Sequence, residues 1–270
     1  MVSIELAEIL IKKEFSSWGA FSMSLIPGGL TNQNLLIETS IGEKFVARLP
    51  GDNTDVFGID RQREYEVSRV AWEIGIAPEP IAFLAKYGIL ITRFVEAKSI
   101  DTDDTEAIRI VAKLLKKLHS APSVSGEFNL PSVINDYIKT AKRFNVKHPS
   151  ELDEALDFAA KIIDSCSGYS RALVPCHNDL LPANFLQGKN DIYLIDWEYA
   201  GMGDPYVDLG NCAANFCMND EDCFIFMNSY LNREPSDIII AQLNLFRILS
   251  DLREALWAYV QIGVSKLDVD

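Results

Sequence analysis

Three oxygen-bearing side chains at short, fixed intervals mark the part of this chain best suited to chemistry: Asp179, Asn184 five residues on, and Asp196 beyond a further turn. They lie in VPCHNDLLPANFLQGKNDIYLIDWEYAGMGDPYVDLGN, Val174 to Asn211. An apolar run, Ala172 to Pro175, leads into His177-Asn178-Asp179, and an alternating segment opens at Asn184 and runs to Gln187. Gly188-Lys189-Asn190-Asp191 has the composition of a hairpin loop, and Ile192 to Ile195 reads as a second short strand. In an antiparallel hairpin centred near Asn190, Asn184 and Asp196 both fall at the open end, with Asp179 just before it. Carboxylate and amide oxygens grouped there suit a hard cation such as Mg²⁺, which takes one or two carboxylates, keeps its waters and draws its remaining ligands from phosphates.

The order His177-x-Asp179-x-x-x-x-Asn184, followed by Asp196, matches the phosphoryl-transfer template of protein kinases. There an Asp takes the hydroxyl proton, an Asn five residues on holds metal, and a later Asp holds metal too. An isolated H-x-D reads equally well as an Asx-rich turn before a surface hairpin. The three-part pattern, with strands where the geometry needs them, does not. One departure from protein kinases is plain: Trp197-Glu198 follows Asp196, where they have Phe-Gly.

HNDLLPANF together with LIDWEYAGMGDPYVDLGN resembles the choline and ethanolamine kinases and their bacterial choline kinase-like relatives, within the wider aminoglycoside phosphotransferase group. The resemblance is specific from His177 to Asn211 and diffuse over nearly all the rest. It implies an α+β, protein-kinase-like fold with a small β-rich lobe at residues 1–96 and a larger, mainly helical lobe at 97–270. It also implies that Asp208 helps anchor the catalytic loop that begins at His177. Trp257, in LREALWAYVQ, is similar to the tryptophan that lines the quaternary ammonium pocket of choline kinases, and an indole face attracts such a cation. Tyr199 adds an aromatic face in the loop after the second metal position, and Asn215 stands where many animal choline kinases have a glutamate. Relatives continue past the position of Asp270 with a helix bearing a further aromatic contact, so the resemblance implies a truncated carboxyl end.

The elements that must position these groups are legible in order. Ser3 to Phe15 has Ile4, Ala7, Leu10 and Ile11 at helical spacing. Strands are expected at Phe21 to Ile26, Gln33 to Glu38 and Lys44 to Leu49. Between the first two lies Pro27-Gly28-Gly29-Leu30-Thr31-Asn32, whose glycines let backbone amides approach an anion and whose Thr31 and Asn32 could add polar contacts to it. Arg48, on the third strand, occupies the position of the protein kinase lysine that pairs with phosphate. A guanidinium serves there bidentately, and Glu64, in the helix Arg61 to Ile74, is its expected partner. A second hairpin, Pro80 to Leu84 and Ile89 to Phe94, leads to Arg93-Phe94-Val95-Glu96, which the resemblance makes the adenine-contacting crossing between lobes.

From Asp101 the chain reads as helical. Thr105 to His119 sets Ile108, Val111, Leu114, Leu115 and Leu118 on one face, and His119 is expected to pack locally at its end. Pro131 to Phe144 is the next helix. Ser150 with Asp153 resembles a capping box before a helix to about Cys166. Asp220 and Ser236 are expected to cap two more, the second running to about Val264.

Composition bounds the function. With 270 residues, 48% of them apolar, the chain can bury a sizeable core, and a net charge of −14 argues against nucleic acid while being compatible with a cationic substrate. No apolar run reaches the roughly 18 residues of a membrane helix and no leader is evident, so a cytoplasmic protein without membrane contact is expected. Five cysteines without a C-x-x-C pattern indicate buried free thiols and neither disulfides nor zinc. The expectation is an ATP- and Mg²⁺-dependent kinase for a primary hydroxyl, most readily that of choline. Ethanolamine, thiamine, an aminoglycoside or another amino alcohol are the other acceptors, and a nucleotide-binding pseudokinase is the reading of another class. Oligomeric state is not legible.

Overall fold

The computed structural model describes residues 2–27, 32–51, 54–168, 171–189 and 191–264. Its amino-terminal part is a helix, α1 (Ile4–Glu14), and an antiparallel sheet of β1 (Phe21–Ile26), β2 (Asn32–Thr39), β3 (Lys44–Pro50), β4 (Pro80–Leu84) and β5 (Ile89–Arg93), in spatial order β1-β2-β3-β5-β4. Alternation drives this sheet. Leu35 and Ile37 on β2, Phe45, Ala47 and Leu49 on β3, and Ile89 and Ile91 on β5 all turn to one face and bury there with Ala7 and Ile11 of α1. On the other face Arg48 lies opposite Asn34 and Leu90, which aims its side chain away from that core.

Helix α2 (Arg61–Glu73), inserted between β3 and β4, starts at Asp60, whose carboxylate accepts from the amides of Gln62 and Arg63. Its buried residues Val67 and Ala71 join the larger core formed with the helical remainder of the chain. Glu64 is thereby held between the sheet and that remainder, only 2% exposed.

The second part comprises α3 (Thr105–His119), α4 (Leu130–Arg143), α5 (Leu152–Ser167), α6 (Pro205–Asn215), α7 (Asp220–Leu231) and α8 (Asp237–Val264). All five apolar residues singled out on α3 are buried. Two small sheets sit among the helices. β6 (Lys98–Ser99) pairs with β8 (Phe185–Gln187), which pairs with β9 (Ile192–Leu194), while β7 (Val174–Cys176) pairs with β10 (Gly201–Gly203). Helices α6 and α8 meet at Gly210, where an added Cβ would lie 2.6 Å from the backbone carbon of Phe246. Only a glycine allows that approach.

Four local expectations are corrected. Asn184 closes a 3-10 turn, Pro182–Asn184, and the strand begins at Phe185, because Pro182 favours a turn start. Ser150 makes no capping box: α5 is flanked by Glu151 in a helical conformation, with no side chain on its first amides. Asn219 rather than Asp220 caps α7, in a reciprocal arrangement with Asp222. Cys217 is exposed, while the other four thiols are buried and all five are free.

Candidate functional site

β7 delivers the chain into His177-Asn178-Asp179, a loop held by buried hydrogen bonds rather than by secondary structure. Asp208, on the first turn of α6 and fully buried, accepts from the backbone N–H of His177 at 2.8 Å and of Asn178 at 2.7 Å. The Nε2 of His119 lies 3.1 Å from the same carboxylate, and its Nδ1 is 2.8 Å from the hydroxyl of Tyr230. Burial raises the affinity of Asp208 for a proton, but the His119 bond and the histidines around it outweigh that and hold its pKa below the usual value. Asn178 adopts φ 66°, and its amide donates to the carbonyl of Tyr199 at 3.0 Å.

His177 is fully buried and fixes the next turn. Its Nε2 lies 2.9 Å from the Ile195 carbonyl, and its Nδ1 accepts from the N–H of Asp179 at 3.2 Å. Both bonds are satisfied by the neutral tautomer protonated on Nε2, and burial lowers the pKa to about 4. Asp179 itself is pushed up to about 7, first by burial, against the attraction of Arg253 and with the repulsion of Asp196, Glu254 and Glu198 added.

These two shifts act on stability with opposite signs. Below about pH 6.5 the unfolded chain protonates His177 while the folded chain does not until about pH 4, so this histidine removes stability as pH falls through that window. Between about pH 3.8 and 7 the folded chain holds a proton on Asp179 that the unfolded chain has released, so this carboxyl removes stability as pH rises. Asp179→Asn cancels the second effect and leaves the first. In chelator-treated protein, the variant is expected to exceed the wild type at pH 8 by on the order of 4 kcal/mol, and to lose stability steadily from pH 6.5 to 4. Urea unfolding across that range checks it; a variant less stable than wild type at pH 8 contradicts it.

Asn184 donates to the carbonyl of Asp179 at 2.8 Å, which turns its own carbonyl oxygen away from the loop. The N–H of Ile195 donates to the backbone oxygen of Asn184 at 3.0 Å, so the hairpin does bring Asn184 beside the start of the Asp196 segment. Its turn residue Asn190, like Gly28, Gly29 and Thr31 of the expected anion loop, lies outside the described residues. Asp196 has φ 69°, a strained setting for a non-glycine residue.

Above the hairpin sits a buried ionic cluster. Arg48 contacts Glu64 and Asp196, and Arg61 reaches Glu64 at 2.7 Å and Glu198 at 3.1 Å. The Arg48–Glu64 pair is the one the sequence suggested. Asn32 is not free to serve as a phosphate contact: its amide donates to Glu198 at 2.9 Å, its oxygen accepts from Arg61 at 2.8 Å, and it is 6% exposed. A cavity of about 300 Å³ opens beside Arg48 and Asp196, walled by Leu90, Phe94, Val95 and Trp197.

Aromatic side chains also lie near Asp179, whose charge reaches Tyr137 and Tyr199. Trp257 donates from Nε1 to the hydroxyl of Tyr199 at 3.1 Å, its ring lies 6.0 Å from that of Phe57, and Phe57 meets Tyr137 edge-on at 6.2 Å. Phe57, Tyr137 and Tyr199 line a second cavity of about 460 Å³. Neither Asn215 nor Trp257 is among its lining residues; the Asn215 amide reaches the Leu180 carbonyl at 3.4 Å and braces the loop instead.

Several residues here were missed from sequence. Arg253 of α8 is 2% exposed, pairs with Asp179 at 3.5 Å and contacts Glu254. Its signal was a charge set within the apolar stripe Phe246, Leu249, Leu256, Val260. Asn211 accepts from the N–H of Leu180 and donates to Ser250 at 2.9 Å and Glu254 at 3.3 Å. His119 does not pack locally; it bonds to residues 89 and 111 positions away.

Asp179 is thus a buried acid within the electrostatic reach of Asp196, Tyr137, Tyr199 and Arg253. The model of the phosphotransferase enzyme family matches residues 22–225. The chain belongs to that family. Protein LicA of Haemophilus influenzae is 27% identical over 247 residues, covering 87% of this chain and 72% of that protein. Ethanolamine kinase 1 of Mus musculus is 24% identical over 296 residues, covering 92% of this chain and 79% of that protein. The crystal structure of choline kinase LicA from Streptococcus pneumoniae superposes with a TM-score of 0.82 at 24% identity, covering 98% of this chain and 94% of that one, and shares its protein-kinase-like fold. This member of the phosphotransferase family is thus a small-molecule kinase acting on an alcohol group. No helix among the described residues is long and apolar enough to cross a membrane.

Proposed function

We propose that this phosphotransferase is an ATP- and Mg²⁺-dependent kinase in the cytoplasm that phosphorylates the primary hydroxyl of a small cationic amino alcohol, choline before ethanolamine. The observation that supports this is Asp179, a buried carboxyl close enough to Asp196 to feel its charge and close enough to Tyr137 and Tyr199 for them to feel its own. On this reading residues 1–96 with α2 form the nucleotide lobe, and 97–270 carry the base and the acceptor. Asp179 orients the hydroxyl and takes its proton, a task suited to a carboxyl whose pKa lies near neutrality. His177 and Asp208 hold the loop that presents it.

The donor set fits Mg²⁺. The Asn184 carbonyl oxygen is turned off the loop, only one oxygen of Asp196 is engaged by Arg48, and the surroundings are carboxylate-rich. Those two residues would hold the ion, which when bound neutralises charge on the phosphate oxygens. Arg48, fixed by Glu64, then steadies the phosphates beside it.

Choline is favoured by what faces the acceptor. A trimethylammonium group donates no hydrogen bond and is held by aromatic faces, worth roughly 0.5 to 2 kcal/mol each. Phe57, Tyr137 and Tyr199 supply such faces in the cavity, with Trp257 beside Phe57 and bonded to Tyr199, whereas Glu254 is already engaged by Arg253. The similarity to both a choline kinase and an ethanolamine kinase leaves the order between them to experiment.

ATP turnover with a panel of choline, ethanolamine, thiamine and an aminoglycoside tests the assignment. Choline is expected to give the highest kcat/KM, and Trp257→Ala to raise the choline KM at least several-fold while leaving the ATP KM unchanged. Equal choline KM values in the two proteins would remove Trp257 from the pocket; turnover of another alcohol with none of choline would overturn the substrate alone.

A further inference from the structure

We propose that Arg253 is a positioning residue that occupies the inner oxygen of Asp179 and so keeps the acceptor's own cation off the base. The inference rests on the reading of Asp179 as the proton acceptor for a cationic alcohol.

Such an acceptor carries two groups that a buried carboxylate attracts, its hydroxyl and its cation, and only the first is productive. Coulomb attraction draws the cation to a buried carboxylate even where it has no hydrogen to donate, so an unguarded Asp179 would be open to the wrong end. Arg253 removes that choice. Its guanidinium lies 3.5 Å from Oδ1 of Asp179 and also contacts Glu254. Oδ2, the oxygen nearer the Asn184 amide at 3.5 Å, is the one left to the hydroxyl.

The guard is locked in place by a closed circuit. Asp179 meets Arg253, Arg253 meets Glu254, Glu254 accepts from Asn211 at 3.3 Å, and Asn211 accepts from the N–H of Leu180, the residue next to Asp179. A displacement of any member must break a contact elsewhere in the ring. Arg253 is 2% exposed, so water cannot take over a lost contact cheaply, and one guanidinium nitrogen, Nη2, meets both carboxylates. The two carboxylates also mean that one buried cation leaves a single surplus negative charge, shared through the circuit rather than concentrated on the base.

Steady-state kinetics on the intact chain test this, with choline, or the first cationic alcohol the panel shows to be turned over, as the probe. Unproductive docking lowers kcat and KM together. Arg253→Met is therefore expected to lower kcat at least tenfold and to lower the acceptor KM with it, leaving the ATP KM within twofold, and Arg253→Lys to return the acceptor KM toward the wild-type value. An acceptor KM that does not fall in Arg253→Met overturns the inference. Should that variant not fold, calorimetric binding of the same alcohol to Asp179→Asn decides the matter: affinity within twofold of wild type is expected, because no cation rests on Asp179, and a tenfold loss overturns the inference. Wild-type protein inert toward every alcohol would instead overturn the kinase reading and this inference together.

Discussion

Asp179→Asn is expected to lower turnover by about 10² to 10⁴-fold, the usual range for removing a general base, while nucleotide affinity stays close to wild type. The substitution keeps the volume and the hydrogen bond from the Asp179 N–H to His177, so the loop retains its shape. It removes the only carboxylate in the loop before Asn184, and the neutral amide cannot take the hydroxyl proton. Because the same change relieves a buried carboxylate, lost activity should accompany higher stability at pH 8, a combination that general damage to the fold does not produce. Paired measurement of kcat and of the urea midpoint on one preparation reads both. Wild-type turnover in the variant would falsify the role of Asp179.

Asp196→Ala is expected to abolish transfer and to make nucleotide binding insensitive to Mg²⁺. Two effects combine in this second substitution. A carboxylate proposed to hold the metal is lost, and Arg48 loses a partner while keeping Glu64. The fold should survive, since Asp196 follows β9 at the edge of a cavity, although its φ of 69° is a setting aspartate adopts more readily than alanine, so the change costs some stability. Titrating ATP with and without Mg²⁺, in wild type and variant, separates the outcomes. A metal-dependent gain in affinity of the same size in both proteins would take Asp196 out of the metal site.

What could be read in advance was whatever local periodicity and spacing encode. The alternation in β2, β3 and β5 and the single apolar face of α3 place their residues on the correct side, because removing one apolar face from water outweighs the other forces that orient each element. The Arg48 and Glu64 pair was legible because a known order of strand and helix implies that one faces the other. The circuit through Arg253 was not. A sequence shows that a charge sits in an apolar stripe, but which carboxylate it meets depends on how α8 crosses α6, and that crossing is decided by a contact at Gly210 that no periodicity reports. His119 failed for the same reason: its place at the end of α3 suggested local packing, and its partners come from α6 and α7. Asn32 shows the converse error, a polar residue beside a glycine-rich stretch whose side chain is spent on Glu198 and Arg61.

The crossing at Gly210 also has a bearing on the order in which the molecule is assembled during synthesis. The loop around Asp179 and the helix that bears Asp208 and Asn211 leave the ribosome before α8 does, and at roughly 5 to 20 residues per second the delay before Ser250, Arg253 and Glu254 follow is on the order of seconds. Throughout that interval Asn211 lacks Ser250 and Glu254, Asp179 lacks Arg253, and the face of Gly210 that Phe246 will cover is bare. The nascent chain therefore carries Asp179 without its buried counter-charge until α8 docks.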